Sequence, residues 1–425
     1  MSPHPPDGTP DPGHAQAPQG APGTPLQGTP ADRRRGTHPP VRMLHIITRL
    51  IRGGADENTL YTVRGLDKRR YTVDLVVGEG SELEAFGPLE DVTVHVVKEL
   101  VRDPHPVKDV VALAKLTGII RRGHYQIVHT HTAKAGFLGR LAAAMVGSPI
   151  IVHTVHGVTF HDQIPAVQRI FYLALERIAA RFTHQFVTVG EDVKDIYLRS
   201  GIGQAHRYET IYSGMPLDEY LDAGHMSDEE RARVRSSLGL EPQHRVVAMA
   251  ARLEPRKGHQ YLLQAVQRLK GRVPDLRVLL LGDGAIRQEL EWQTQALGIS
   301  DIVRFLGHRS DLARVLAASD VSVLTSLWEG LPRVLVQSAA CGRPILTFDV
   351  EGAWEVVRDG RNGFIVPSKD VDAFTARLET LLADHEHARA LGEAGRAQVS
   401  DAWTVETMLT RLDRLYQRLT GDRAA

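Results

Sequence analysis

The sequence predicts an α/β fold built on two parallel sheets, each covered by helices on both faces. Three observations carry this. From Val41 onward, short apolar runs alternate with longer amphipathic ones, the pattern of repeated strand–helix–strand units. The apolar runs are continuous, as in Arg277-Val278-Leu279-Leu280-Leu281, which suits strands covered on both sides. The pattern also occurs twice, separated by a charge-rich stretch over 213–244. A chain of 425 residues has length for two such domains.

The elements follow in order. Residues 1–40 hold eleven prolines with glycines between them and no apolar run. That composition predicts a disordered extension and carries no secretory signal. In the first half, strands are expected at 42–47, 72–77, 92–97, 126–130, 150–154, 185–189 and 208–212. Helices are expected between them at 55–66, 106–122, 134–146, 166–182 and 191–200. The domain is bounded at 41–215. A linker with one short helix follows over 216–244. The second domain, 245–400, has strands at 245–250, 277–281, 302–306, 320–325, 344–348 and 363–366. Its helices are expected at 259–271, 285–297, 311–318, 333–341, 370–384 and 388–398. A last helix near 404–420, within a terminal segment 401–425, is free to pack on either domain and to cross back to the first. The 166–182 helix carries Ile170, Phe171, Ala174, Ile178 and Phe182 beside Arg169, Arg177 and Arg181. This stripe is read as core-facing rather than membrane-facing.

Composition excludes several classes. Lys and Arg balance Asp and Glu at 51 each, which argues against a nucleic-acid binder. The single cysteine, Cys341, excludes intrachain disulfides and multi-cysteine metal sites. A membrane-spanning helix needs about 20 largely apolar residues, and none is present. There is no Gly-x-Gly-x-x-Gly after a strand and no P-loop, so dehydrogenase and ATPase readings weaken.

The chemistry concentrates at strand ends. Ser326-Leu327-Trp328-Glu329-Gly330-Leu331-Pro332-Arg333 lies between a strand and a helix that runs on to Gln337. It puts an acidic side chain where helix amides favour an anion. Upstream, Arg252-Leu253-Glu254-Pro255-Arg256-Lys257-Gly258 offers cations suited to a diphosphate. Gly53 and Gly54 fit either a close approach of backbone to ligand or a plain strand–helix turn. His129-Thr130-His131-Thr132-Ala133-Lys134 opens a helix, with Thr132 as its cap. Its histidines share a strand face, and Lys134 in the first turn calls for a bound anion or a nearby carboxylate. A His-x-His metal site is the sharper alternative, but no third ligand of fixed spacing is evident. His156-Gly157 ends another strand, where the histidine either points into a cleft or is structural. Leu281-Gly282-Asp283-Gly284 and Phe305-Leu306-Gly307-His308 are strand-end turns that suit a nucleobase or ribose, or turning alone.

Together these motifs resemble the retaining GT-B glycosyltransferases of the large bacterial family that builds lipopolysaccharide, capsule and exopolysaccharide. The resemblance covers 41–420 and includes Gly352…Glu355…Asp359-Gly360…Gly363. It implies two Rossmann-like domains facing a cleft. It implies that Arg252 and Lys257 bind the donor diphosphate and Glu329 holds the donor sugar, with the backbone of Gly330, Leu331 and Pro332 beside it. His156 would face the reacting sugar. Gly53, Gly54, Gly282, Gly284, Leu306 and Gly307 would line the nucleotide, and His131 and Lys134 the acceptor side. No metal or other cofactor is implied. The expected partners are a nucleotide-diphosphate sugar and a glycan or polyprenyl-linked acceptor, with weak contact to a membrane surface. The expected location is the cytoplasm, at the inner face of the membrane. One position departs from the family, which has a second glutamate where this chain has Gln337. A glutamine still accepts one ribose hydrogen bond and donates another. The rival readings are a sugar-nucleotide epimerase on the same fold and a non-catalytic nucleotide- or glycan-binding protein.

Overall fold

The structure, a computed structural model, describes residues 39–421 apart from Arg52, and the side chains among them except that of Ala85. The extension expected over 1–40 therefore lies outside the described residues as far as position 38.

The first domain alternates β1 (Val41–Ile46), α1 (Gly54–Gly65), β2 (Tyr71–Gly78), β3 (Val92–Val97), α2 (Pro106–Gly123), β4 (Ile127–His131), α3 (Ala133–Val146), β5 (Ile150–Val155), α4 (Ala166–Ala180), β6 (Gln185–Thr188), α5 (Glu191–Arg199) and β7 (Tyr208–Thr210). Its strands are parallel in the order β3-β2-β1-β4-β5-β6-β7. Every residue of β4 and β5 is buried. Both strands open on the apolar run expected of strands covered on both faces and carry buried histidines and threonines toward their ends, His129, Thr130, His131, His153 and Thr154.

Two helices lead into the second domain, α6 (Asp218–Gly224) and α7 (Asp228–Ser237). The second sheet then forms from β8 (Arg245–Ala250), β9 (Leu276–Leu281), β10 (Val303–Gly307), β11 (Val321–Leu324), β12 (Ile345–Phe348) and β13 (Gly363–Val366). The helices between and after them are α8 (His259–Leu269), α9 (Arg287–Ala296), α10 (Leu312–Ala318), α11 (Arg333–Ala340), α12 (Ala353–Val356), α13 (Val371–Ala383), α14 (His385–Gln398) and α15 (Val405–Gly421). The order is β10-β9-β8-β11-β12-β13, again all parallel. Both sheets thus reverse their winding beside the first strand of the domain, between β1 and β4 and between β8 and β11. Such switch points open a crevice at the carboxyl ends of the strands, where ligands bind in open α/β sheets.

Three points differ from the sequence reading, and one, the second below, settles an alternative it left open. The 216–244 stretch holds two helices rather than one, and it is not a bare linker. Tyr220, Val234, Leu238 and Leu240 are buried with Val246 and Ala248 of β8 and Leu316 of α10. Their apolar residues are too sparse to show a period, yet they complete the outer face of the second domain. Second, α15 leaves that domain and packs on the first, burying Met408, Leu412, Leu415 and Tyr416 beside Met43, Ile47 and Val152. The hydroxyl of Tyr71 donates to Asp413 at 2.7 Å. Third, Thr132 precedes α3 but its side chain does not cap it. The hydroxyl is spent on Thr48 Oγ1 at 2.8 Å. Fourth, the α4 stripe faces outward. Val167, Ile170 and Phe171 are 79%, 64% and 53% exposed, and Ile178 is exposed as well. The face of α4 that does pack holds Glu176, Ala179 and Ala180, with Tyr172 and Leu173 partly buried beside it. Glu176 meets Arg140 of α3 at 2.9 Å in an ion pair with both side chains buried, an arrangement that costs little only while both partners are present.

Candidate active site

The segment after β8 turns sharply, because its backbone runs against the turn after β9. A Cβ on Gly282 would lie 2.2 Å from the Ala251 carbonyl oxygen, and one on Gly284 would lie 2.3 Å from that of Leu253. Both glycines therefore serve the approach of neighbouring backbone, which sets where Arg252 leaves the sheet. Glu254 then gathers two guanidinium groups, with Arg252 at 3.3 Å and Arg256 at 3.2 Å. The next residue, Lys257, pairs with Glu329 from the turn after β11, and Arg256 reaches the same carboxylate at 3.4 Å. The Glu329 amide donates to Glu351 at 3.0 Å, so its backbone is fixed too. Burial alone would push the Glu329 carboxyl upward, but Lys257 and Arg256 overcome it and hold the group below the usual glutamate range. Glu329 is thus a carboxylate in a nearly dry setting, beside a chain of three cations. Sequence reasoning did not single out Arg256; the signal was its place beside Lys257 in the same single turn.

The first domain closes on this site. Gly330 lies against the turn after β5, with its Cα so near the His156 carbonyl that an added Cβ would be 2.0 Å from the oxygen. Trp328 stacks on His161 with ring centroids 4.0 Å apart. Arg333, at the start of α11, pairs with Glu57 of α1 at 2.7 Å, and its stem lies against the bare Cα of Gly54. Asp192 of α5 accepts from the Gly352 amide at 2.9 Å. Asp56, in the first turn of α1, is buried, and burial pushes its carboxyl up to about 7 even with Arg252 nearby. Neither Asp56 nor the Arg333–Glu57 pair was legible as a site feature, since each acquires its meaning only across the cleft.

The remaining expected residues fall as follows. Gly53 precedes α1 in an extended conformation. Leu306 and Gly307 end β10, and the Gly307 carbonyl accepts from the Gly282 amide at 2.8 Å. Leu331 and Pro332 are buried in the turn before α11. Gln337, three residues from the end of that helix, donates from its side-chain amide to the Tyr220 hydroxyl at 3.0 Å. A glutamate there would accept from the same hydroxyl, so Gln337→Glu is expected to keep turnover within about threefold, the scale of a fraction of one hydrogen bond, with only the donor KM moving. Steady-state kinetics on that variant checks this. Lys134 satisfies its charge on Asp109 at 2.7 Å, the nearby carboxylate its position called for. His131 is buried and stands behind His156 rather than on the cleft wall, joined to it ring to ring at 3.2 Å.

Comparison with known proteins agrees with this geometry. Residues 52–219 match the family described as Glycosyltransferase Family 4, and residues 230–398 match Glycosyl transferases group 1. A putative glycosyltransferase of Bacillus subtilis, EpsD, is 30% identical over 314 residues, covering 72% of this chain and 81% of its own. This chain belongs to the glycosyltransferases of that group. The UDP-Gal:alpha-D-GlcNAc-diphosphoundecaprenol alpha-1,3-galactosyltransferase of Escherichia coli is 27% identical over 386 residues, covering 90% of this chain and 98% of that protein. Among solved structures, Anabaena HepE in complex with UDP-glucose superposes with a TM-score of 0.75 at 21% identity, over 89% of this chain and 99% of that one. WaaG, a glycosyltransferase involved in lipopolysaccharide biosynthesis, gives 0.71 at 16% identity, over 86% and 98%. The fold of this glycosyltransferase is therefore GT-B. No helix among the described residues is long and apolar enough to cross a membrane.

Proposed function

We propose that this enzyme transfers a sugar from a nucleotide diphosphate to a hydroxyl of a lipid-linked glycan, with retention at the anomeric carbon. The observation that carries the reading is the buried Lys257–Glu329 pair, extended by Arg256 and Arg252, at the second switch point and facing His156. The cations suit a diphosphate and gain most as charge develops on the departing phosphate. Glu329 suits sugar hydroxyls. Tied to two cations, it is a poor nucleophile, which favours attack from the face the diphosphate leaves, with the leaving phosphate taking the acceptor's proton. The HepE complex contains UDP-glucose and the Escherichia coli relative acts on a diphosphoundecaprenol substrate, which supports both the donor and acceptor classes. No cofactor or metal is invoked for this step.

The test is incubation with individual nucleotide-sugars, with and without a polyprenyl-diphosphate glycan, followed by NMR of product and donor. Nucleotide release that needs the acceptor, with the donor's anomeric configuration kept, supports the reading. Conversion of donor alone without nucleotide release would show an epimerase instead.

A lipid-linked acceptor also gives the outward stripe of α4 an occupant. Val167, Ile170, Phe171 and Ile178 stand exposed beside Arg169 and Arg181, a pairing of apolar and basic groups that suits an anionic lipid surface. The enzyme is expected to pellet with anionic vesicles and to lose most of that binding in Ile170→Asp/Phe171→Asp. Equal pelleting of both forms would remove this face from the interaction.

A further inference from the structure

Behind His156 the first sheet holds an unusual column of rings. His45 of β1 pairs in register with His129 of β4, and His131 pairs with Thr154 of β5. All therefore project from one face, as does His156 two residues beyond Thr154. His45 and His129 are fully buried and His131 is 1% exposed. Three rings are linked in series: His45 Nδ1 to His131 Nε2 at 2.9 Å, and His131 Nδ1 to His156 Nε2 at 3.2 Å. His129 stands beside the series, its nitrogens engaged by Tyr416 and Thr154 at 2.7 Å each.

A metal centre is the first alternative, since ligand atoms of His45, His129 and His131 lie within 4.8 Å of one another. Yet the nitrogens of His129 are both bonded to hydroxyls, and those of His45 and His131 that face each other are bonded together. The adjoining cavity is only about 10 Å³, room for one water. A relay of neutral rings accounts for the same atoms without an added group. Burial pushes His45 down to about 3 and His156 down to about 4, and carries His131 well below its usual value. Each ring then holds one proton, and the series has two possible directions.

His45 Nε2 decides between them. It is buried with no partner among the described residues. A bare lone pair is tolerated there better than a bare N–H, because buried donors without acceptors are the rarer state. The proton of His45 therefore sits on Nδ1 and is donated to His131. His131 donates in turn from Nδ1 to His156 Nε2. His156 must then carry its own proton on Nδ1, the nitrogen outside the series, in the turn that touches Glu329 and Gly330. Thr132, directly after His131, has φ +60 and ψ 166, a conformation nearly confined to glycine, which persists only where the surroundings over-determine it.

We infer that His45 and His131 are positioning residues that lock His156 into its Nδ1–H form, so that it offers the cleft a hydrogen-bond donor and never a base. The cleft role of His156 rests on the proposed function; the tautomer does not, and the two are tested apart. Long-range proton–nitrogen NMR of histidine-labelled enzyme reads the tautomer, with His156 signals identified by loss in His156→Ala. A protonated Nδ1 in the wild type and a mixture in His45→Phe are expected. A protonated Nε2 on His156 would overturn the lock whatever the activity. So would stoichiometric metal in enzyme purified without chelator. Kinetics then read the consequence. His45→Phe is expected to lower kcat about fivefold to tenfold, near the worth of one hydrogen bond, with donor KM little changed. In a His156→Ala background the same substitution should have no further effect on kcat. An equal loss in both backgrounds, with the melting temperature lowered to match, would show that His45 serves only packing.

Discussion

Lys257→Ala is expected to lower kcat by about two to three orders of magnitude, the usual cost of removing one preorganised group that stabilises transition-state charge. The structure sharpens why. Lys257 and Glu329 have side chains only 13% and 8% exposed, so each is held in a nearly dry setting by the other. On the proposed function, removing the ammonium takes away a diphosphate ligand; it also leaves Glu329 with Arg256 alone, at 3.4 Å. Losing one member of a buried pair typically costs about 3–5 kcal/mol, and the remaining guanidinium should reduce that figure. The sign of the pH dependence follows from the lowered Glu329 carboxyl. Its contribution to stability is present above the unfolded value of 4.5 and is lost as pH falls through the lower folded value. In the variant the carboxyl rises, so the acid limb of both stability and rate should move to higher pH. Lys257→Arg keeps the charge and should recover part of both. Kinetics and thermal melts across pH check this; a Lys257→Ala enzyme with near-normal kcat would remove Lys257 from the chemistry.

The strands were legible because parallel strands buried on both faces are mainly apolar, and those runs need no partner to be recognised. The ends of the strands were legible too, since glycines and charges cluster where each run stops. Arg252, Lys257 and Glu329, expected on the donor side, were singled out in this way and come together as a single cluster through Glu254 and Arg256. What escaped depends on contacts between distant positions. His45 looks like one polar residue in an apolar strand; only the β1–β4 register sets it against a histidine 84 positions on. Asp56 looks like an ordinary acidic residue in the first turn of a helix, and only the folded structure shows it buried. The α4 stripe misled for the opposite reason. Its spacing is that of a core-facing helix, but the side that packs uses Glu176, paired with Arg140, two alanines and the partly buried Tyr172 and Leu173, none of them in that stripe. The same spacing would have been correct had α4 met another helix over its apolar face.

Gly330→Ala should be the other large effect, and for a different physical cause. Gly330 is not in the left-handed backbone region, so alanine is allowed by its own dihedral angles. The obstacle is entirely the first domain. The added Cβ would lie 2.0 Å from the His156 carbonyl oxygen, 2.8 Å from its carbon and 3.1 Å from the Gly157 Cα. All three are backbone atoms, with no side chain to swing aside. Ordinary contact needs more than about 3 Å, so the two walls of the cleft must part by roughly 1 Å, and a misplacement of that size costs about a hundredfold in rate. Stability should change less than rate, because most of each domain's core lies away from this contact. Gly157→Ala is the matched control: its Cβ would meet the Glu329 carbonyl oxygen at 3.5 Å, an ordinary contact, so kcat should fall far less. The pair therefore tests one proposition, that catalysis requires the His156 turn and the Glu329 turn in backbone contact. A Gly330→Ala enzyme with normal turnover and an unchanged scattering profile would show that the reacting geometry forms with the cleft more open than this structure has it.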